Sequence, residues 1–194
     1  MGPPAVLNQL ERTGIDIKII EEKHSALGIL NKITCIGTII NQAERTLEFI
    51  NYNLMPQIEQ LDVLASKNEL SDYKVMFILN VQSGSPIVSG KGTSAHGLIT
   101  MTGARNIVSQ HDGWKQISPE SIIKASPDAV VITQRGLDSY GTLEALYTHP
   151  SLSLTPAFQN KRVIVMDGMA MIGFGPRTIF SAVKIAASLD EIVK

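Results

Sequence analysis

The chain has 194 residues, 44% of them hydrophobic, with 17 Lys and Arg against 18 Asp and Glu for a formal net charge of -1. That length supports one substantial core, or two smaller lobes sharing a connector. The balanced charge leaves no bulk footprint for nucleic acid or an anionic membrane, and a single cysteine, Cys35, excludes an intramolecular disulfide and any zinc-type cysteine cluster. Set among Ile and Thr residues, Cys35 reads as a small buried hydrophobe. No apolar run reaches the ~18 residues of a membrane-spanning helix, and no signal-peptide pattern appears. The opening Met1-Gly2-Pro3-Pro4 reads as the interior of a domain.

Residues 3–10 carry helix chemistry, with proline near the first turn and Val6, Leu7 and Leu10 on one face, ended by Gly14. Residues 15–20 alternate, Ile15, Ile17 and Ile19 against Asp16 and Lys18, which predicts a strand. A helix and strand with no strand before them make half a repeating unit, so the rest is expected upstream. Residues 25–40 predict a second helix. Apolar residues then recur at Leu47, Ile50, Leu54, Ile58, Leu61 and Leu64, which predicts an amphipathic helix to about residue 67. Pro56 inside it predicts a kink or a break into two helices.

From Tyr73 onward strands and helices alternate. Strand 74–80 leads into a glycine-rich connection through Ser83-Gly84-Ser85-Pro86 and Gly90-Lys91-Gly92-Thr93. Helix 94–102, a short strand 106–108 and a loop through His111 and Trp114 follow. Ser118 and Pro119 then cap and open a helix running to Lys124. Strand 129–133, loop 134–136, helix 137–147, strand 162–166, loop 167–175 and a terminal helix 176–193 complete the chain. This alternation predicts an α/β fold with a mainly parallel sheet and helices on both faces.

Ligands of open α/β sheets bind beyond the carboxyl ends of the strands, and three strand ends carry unusual connections. The glycine-rich one departs twice from the phosphate-binding G-x-x-x-x-G-K-[ST] pattern, with Ser85 at the first glycine and Gly92 in place of Ser or Thr. It delivers His96 into the first turn of a helix. The second places Arg135 directly after an apolar strand, where its guanidinium suits a carboxylate or a flat ring; Tyr140 lies a turn further on. The third, between Asp167 and Arg177, carries Met169, Met171, Ile172 and Phe174 between glycines. It either folds down as core or lines an apolar, adaptable pocket, and the helix start beside Arg177 offers free N–H groups to an anion. No nucleophile–base pair, paired carboxylates or metal triad stands out, so the sequence favours binding over catalysis.

Taken in order, Gly2-Pro3-Pro4-Ala5-Val6-Leu7, the stretch from Val81 to His96, Ile117-Ser118-Pro119-Glu120, Ser126-Pro127-Asp128-Ala129-Val130 and Gly173-Phe174-Gly175-Pro176-Arg177 carry a resemblance. The chain resembles the haem-binding periplasmic component of bacterial haemin ABC importers, within the helical-backbone class of substrate-binding proteins. The resemblance implies two lobes joined by a long helix: residues 1–40 as the end of a first lobe truncated at its N-terminal side, 41–68 as connector and 69–194 as a complete second lobe. It implies haem in the cleft between them, a membrane permease and ATPase as partners, and a periplasmic location. The axial tyrosine of the family stands upstream of the Gly-Pro-Pro segment, so Tyr52, Tyr73, Tyr140 and Tyr147 do not inherit it. By position, Arg135, Met169, Met171 and Phe174 would contact the porphyrin, His96 would ligate its iron or meet a second haem, and Glu144 would dock the permease. A first-lobe remnant with exposed apolar surface would also drive self-association. The alternatives are a siderophore or cobalamin binder of the same fold, and an α/β metal-handling enzyme using His96.

Overall fold

The computed structural model describes residues 4–82 and 85–193. Met1, Gly2, Pro3, Ser83 and Gly84, parts of the motifs above, lie outside the described residues.

Two stacked helical layers enclose a mixed sheet. β1 (Lys74–Gln82) is central, paired in parallel with β5 (Ala129–Thr133), which in turn pairs in parallel with β6 (Val163–Met166). On the other side of β1, β2 (Ser85–Ser89) pairs antiparallel with its upper half and β3 (Arg105–Asn106) in parallel with its first two residues. β4 (Trp114–Gln116) closes that edge, antiparallel to β2. The glycine-rich stretch is therefore not a plain strand-to-helix loop. Strand propensity carries β1 on to Gln82, and Pro86-Ile87-Val88 supplies a returning strand, so residues after Asn80 form an antiparallel hairpin. The predicted loop through Trp114 likewise contains a strand.

Strand alternation sorts the core. Val75, Phe77, Ala129 and Val131 face one layer, and Met76, Ile78, Val130 and Ile132 face the other. All five residues of β5 are buried, as a continuous apolar run between two helical layers demands. The first layer holds α2 (Ala26–Ile39), α4 (Met55–Ala65), the short α5 (Asn68–Ser71), α6 (Ser94–Met101), α11 (Gly168–Ile172) and α12 (Pro176–Val193). The second holds α7 (Pro119–Ala125), α8 (Gln134–Tyr140), α9 (Leu143–Tyr147) and α10 (Pro156–Gln159). Ser118 caps α7 by accepting from the Ser121 N–H, with Pro119 in the first turn, as its sequence predicts.

The helix predicted around Pro56 forms without a break. α3 (Ala43–Phe49) passes through a π turn at Ile50–Leu54 directly into α4. The Met55 N–H reaches back to the Ile50 carbonyl. Proline cannot donate to the carbonyl four residues back and its ring crowds that carbonyl, so widening the preceding turn accommodates the ring. Leu54 and Leu61 of this helix are buried against the core, and Lys67 at its end bonds Asp190 of α12 at 2.7 Å.

Before α2, the structure departs from the sequence reading. α1 (Pro4–Glu11) is present, but residues 15–20 form no strand, and Ile15 and Ile19 are exposed. Alternation makes a strand only where a neighbour supplies ladder hydrogen bonds, and no described residue does so here. Cys35, read from the sequence as buried, is exposed on α2, because it lies on the outward face of the helix. Ile36, Ile39, Ile40, Leu47 and Phe49 are also exposed along α2 and α3. An apolar band of this extent favours association. The chain is expected to elute from size exclusion with light scattering as a dimer or larger, and to shift toward monomer in Ile36→Lys/Leu47→Lys. A monomer throughout the accessible concentration range removes this expectation.

Candidate functional site

At the carboxyl end of β5, Thr133 ties two elements together. Its hydroxyl donates to the Leu79 carbonyl of β1 at 2.9 Å and accepts the Gly136 N–H at 2.9 Å, capping α8. Gly136 is required for this approach: a Cβ there would lie 2.1 Å from the Leu79 oxygen. The sequence reading has Arg135 in a loop, but threonine capping begins the helix at once, so Arg135 stands in the first turn of α8. It is exposed and makes no ion pair among the described residues.

A groove opens around this arginine at the ends of β1, β5 and β6. One part, of about 540 Å³, is bordered by Leu79, Arg135, Asp138, Met169 and Ile172. The adjoining part, about 320 Å³, is bordered by Asn80, Thr133, Arg135, Gly136 and Ser139. Leu79, Thr133 and Arg135 border both parts; Met169 and Ile172, with the acids Asp138 and Asp167, line the first, and Asn80 and Ser139 line the second, which is the more polar compartment of the two. Volumes of this order fall in the range of roughly 300–1,000 Å³ typical of small-molecule sites. Met169 is 69% exposed over the apolar part. Its position is set by Asp167, whose carboxylate accepts the Met169 N–H at 3.0 Å and caps α11.

The other predicted site residues are distributed differently. The connection between β6 and α12 is helical, and of its apolar residues Met171 and Phe174 are buried in the core, with 0% and 1% exposure. These two fold down as core, while Met169 and Ile172 border the groove, Ile172 also packing against the core. Tyr140, at the end of α8, packs its ring 5.7 Å from that of His149 in the second layer, away from the groove. Arg177 bonds Asp167 at 3.4 Å and borders a separate groove of about 720 Å³ between β6 and α12. That larger hollow runs along the sheet edge, not across strand ends. Glu144 is exposed at the start of α9, where its own backbone N–H and the Thr142 hydroxyl hold its carboxyl below the usual range.

His96 lies on the β2–β3 side of β1 and does not border the groove of Arg135. The Asn106 amide bonds its Nδ1 at 3.1 Å and the Ser89 carbonyl at 2.9 Å, while the Asn106 Oδ1 accepts the Val108 N–H. That network orients the Asn106 amide with Nδ2 toward the ring, so Nδ1 of His96 is the acceptor and its proton sits on Nε2. Burial, then Lys91, then His24 lower its pKa below the ordinary histidine value. His24 itself packs against Gly97 and places its ring 4.7 Å from Phe174. A histidine whose folded pKa is depressed contributes stability that is fully present above its unfolded pKa of about 6.5 and is lost as pH falls from there through the lower folded value. Lowering pH from 7.5 to 5 is therefore expected to reduce the melting temperature, with a smaller reduction in His96→Gln. Equal reductions in both proteins would assign the effect to other groups.

Asn80 and Ser139 border the groove but carry no distinguishing sequence pattern. An asparagine interrupting the apolar run of β1 was the one available sign.

Among the described residues no three His, Cys, Asp or Glu side chains are grouped to hold a metal ion, and no helix is long and apolar enough to cross a membrane. Residues 4–170 match the family described as periplasmic binding protein. The structure superposes on the periplasmic haem-binding protein BhuT, in complex with two haems, at a TM-score of 0.90 and 26% identity, covering 100% of this chain and 73% of that one. It superposes on the periplasmic haem-binding protein HutB of Vibrio cholerae at 0.81 and 31% identity, covering 97% and 73%. The uncharacterized ABC transporter substrate-binding lipoprotein YvrC of Bacillus subtilis (strain 168) is 24% identical over 183 residues. That alignment takes in 94% of this chain and spans 56% of the length of the relative. These relatives are binding proteins, two of them periplasmic, and one is a transport component, which sets aside the enzyme reading: by sequence and by fold, the chain belongs to the periplasmic binding protein family.

Proposed function

We propose that this chain binds haem in the strand-end groove and, as part of a periplasmic binding protein, delivers it to the permease and ATPase of an ABC importer. The observation that carries the reading is the placement of Arg135, an exposed cation without an ion pair among the described residues, at the border between the two compartments. Haem is a flat apolar ring with carboxylates at one edge. Leu79, Met169 and Ile172 suit the ring, and the guanidinium suits a propionate by charge-assisted hydrogen bonds. The haem-binding relatives of the same fold support the choice of ligand.

The test is an absorbance titration of the chain with haemin. A saturable shift of the Soret band is expected, and displacement of a fluorescent apolar probe from the groove should follow the same curve. No spectral change and no displacement would overturn the haem reading. Displacement of the probe by a ferric siderophore or by cobalamin, with haemin inert, would instead move the same groove to one of those ligands.

A further inference from the structure

Asn80 is unlike every other residue of the groove. The ladder between β1 and β2 shifts register between Ile78 and Asn80, a bulge that falls beside the site. Bulges re-aim the side chains that follow them. The Leu79 carbonyl at the bulge accepts the Thr133 hydroxyl, and α8 presses against it at Gly136, so the backbone before Asn80 is fixed from the β5 side. Asn80 then borders the polar compartment together with Arg135 and Ser139.

Its amide is only half accounted for. Oδ1 is closed off from solvent and has no hydrogen-bond partner among the described residues. Nδ2 has none either, yet it is not closed off, so it is the end of the amide left to the groove. The neighbouring polar groups are already engaged: the Thr133 hydroxyl with Leu79 and Gly136, and the Ser139 hydroxyl with the Gly136 carbonyl at 2.8 Å. A buried oxygen without a partner is destabilising, and a leucine of similar size would avoid it. Among the described residues the fold carries such a cost at two side chains, Thr178 inside α12 and Asn80, and only at Asn80 does it fall in the groove, where the other end of the amide is a free donor in the part that Arg135 also borders. Turning the amide over would expose the acceptor, which suits no carboxylate.

We infer that Asn80 is a ligand-positioning residue: its Nδ2 and the Arg135 guanidinium hold one carboxylate of the ligand between them. This rests on the haem reading above and deepens it by assigning the carboxylate edge to the polar compartment, with the ring on the Met169 side. The selectivity that follows is for ligands with a free carboxylate over their esters.

The experiment compares wild type, Asn80→Leu and Asn80→Ala in titrations with haemin and with haemin dimethyl ester, alongside their melting temperatures. Haemin affinity is expected to fall by about tenfold in both variants, the worth of one hydrogen bond to a charged group. Ester affinity should be the same in all three proteins. Asn80→Leu should melt at or above the wild-type temperature, because the closed-off oxygen is gone. Undiminished haemin affinity in both variants, or equal losses for haemin and its ester, overturns the assignment of Asn80 and leaves the haem reading standing. A wild-type chain that ignores haemin overturns both. If Asn80→Leu melts low, Asn80→Ala decides the same question with a side chain that cannot overfill the site.

Discussion

Arg135→Ala is expected to weaken haemin binding by about 10- to 100-fold while leaving the melting temperature unchanged. The magnitude is that of charge-assisted hydrogen bonds to a carboxylate lost from a groove. The unchanged stability follows from the side chain's surroundings: it is exposed and makes no ion pair among the described residues, so the folded protein loses little with it. Arg135→Lys separates two contributions, since lysine keeps the charge but not the planar fork. An intermediate loss is expected there, reduced at high salt in both proteins. Binding that survives Arg135→Ala intact would remove the arginine from the site, and a large drop in melting temperature would reassign it to the fold.

Phe174→Ala is expected to have the opposite profile. The ring is 1% exposed within the first-layer core and meets His24 at 4.7 Å. Truncating a buried phenylalanine costs about 3–5 kcal/mol, which in a chain of this size lowers the melting temperature by roughly 6–20 °C. The backbone adds to the case. Phe174 holds φ at 44°, a left-handed conformation that side chains disfavour and that packing of the ring must maintain. Phe174→Leu, which refills much of the space, should recover most of the stability and bind haemin as wild type does. Loss of haemin binding in a well-folded Phe174→Leu would return the ring to the ligand site.

The contrast between these two residues shows what a sequence can carry. The apolar run of β5, the Ser118-Pro119 cap and the terminal helix are legible because each rests on local chemistry: continuous burial, a capping hydroxyl, a 3.6-residue period. Met169, Met171, Ile172 and Phe174 are a different matter. Apolarity alone does not say which of four neighbouring side chains turns inward, and only the helical turn of α11 sorts Met169 outward from Met171 inward. The β1–β2 hairpin was obscured because its signal is pairing with a strand already counted, not composition. Asn80 depends on a register shift that no spacing encodes. The alternation at residues 15–20 fails for the converse reason, since its pattern is local but its hydrogen bonds would have to come from elsewhere.

The packing of α4 against α12, pinned by Lys67 and Asp190, bears on how a ligand would leave. The helix that leads into the sheet is welded to the last helix of the chain, and α8 is held against β1 through Thr133 and Gly136. The α8 wall of the groove is thereby ready-made, so little ordering is spent there when a ligand arrives. What favours capture also prolongs residence, because differences in affinity are expressed mostly in the rate of escape. On the proposed function, release rather than capture is then the step that a transport partner would have to drive.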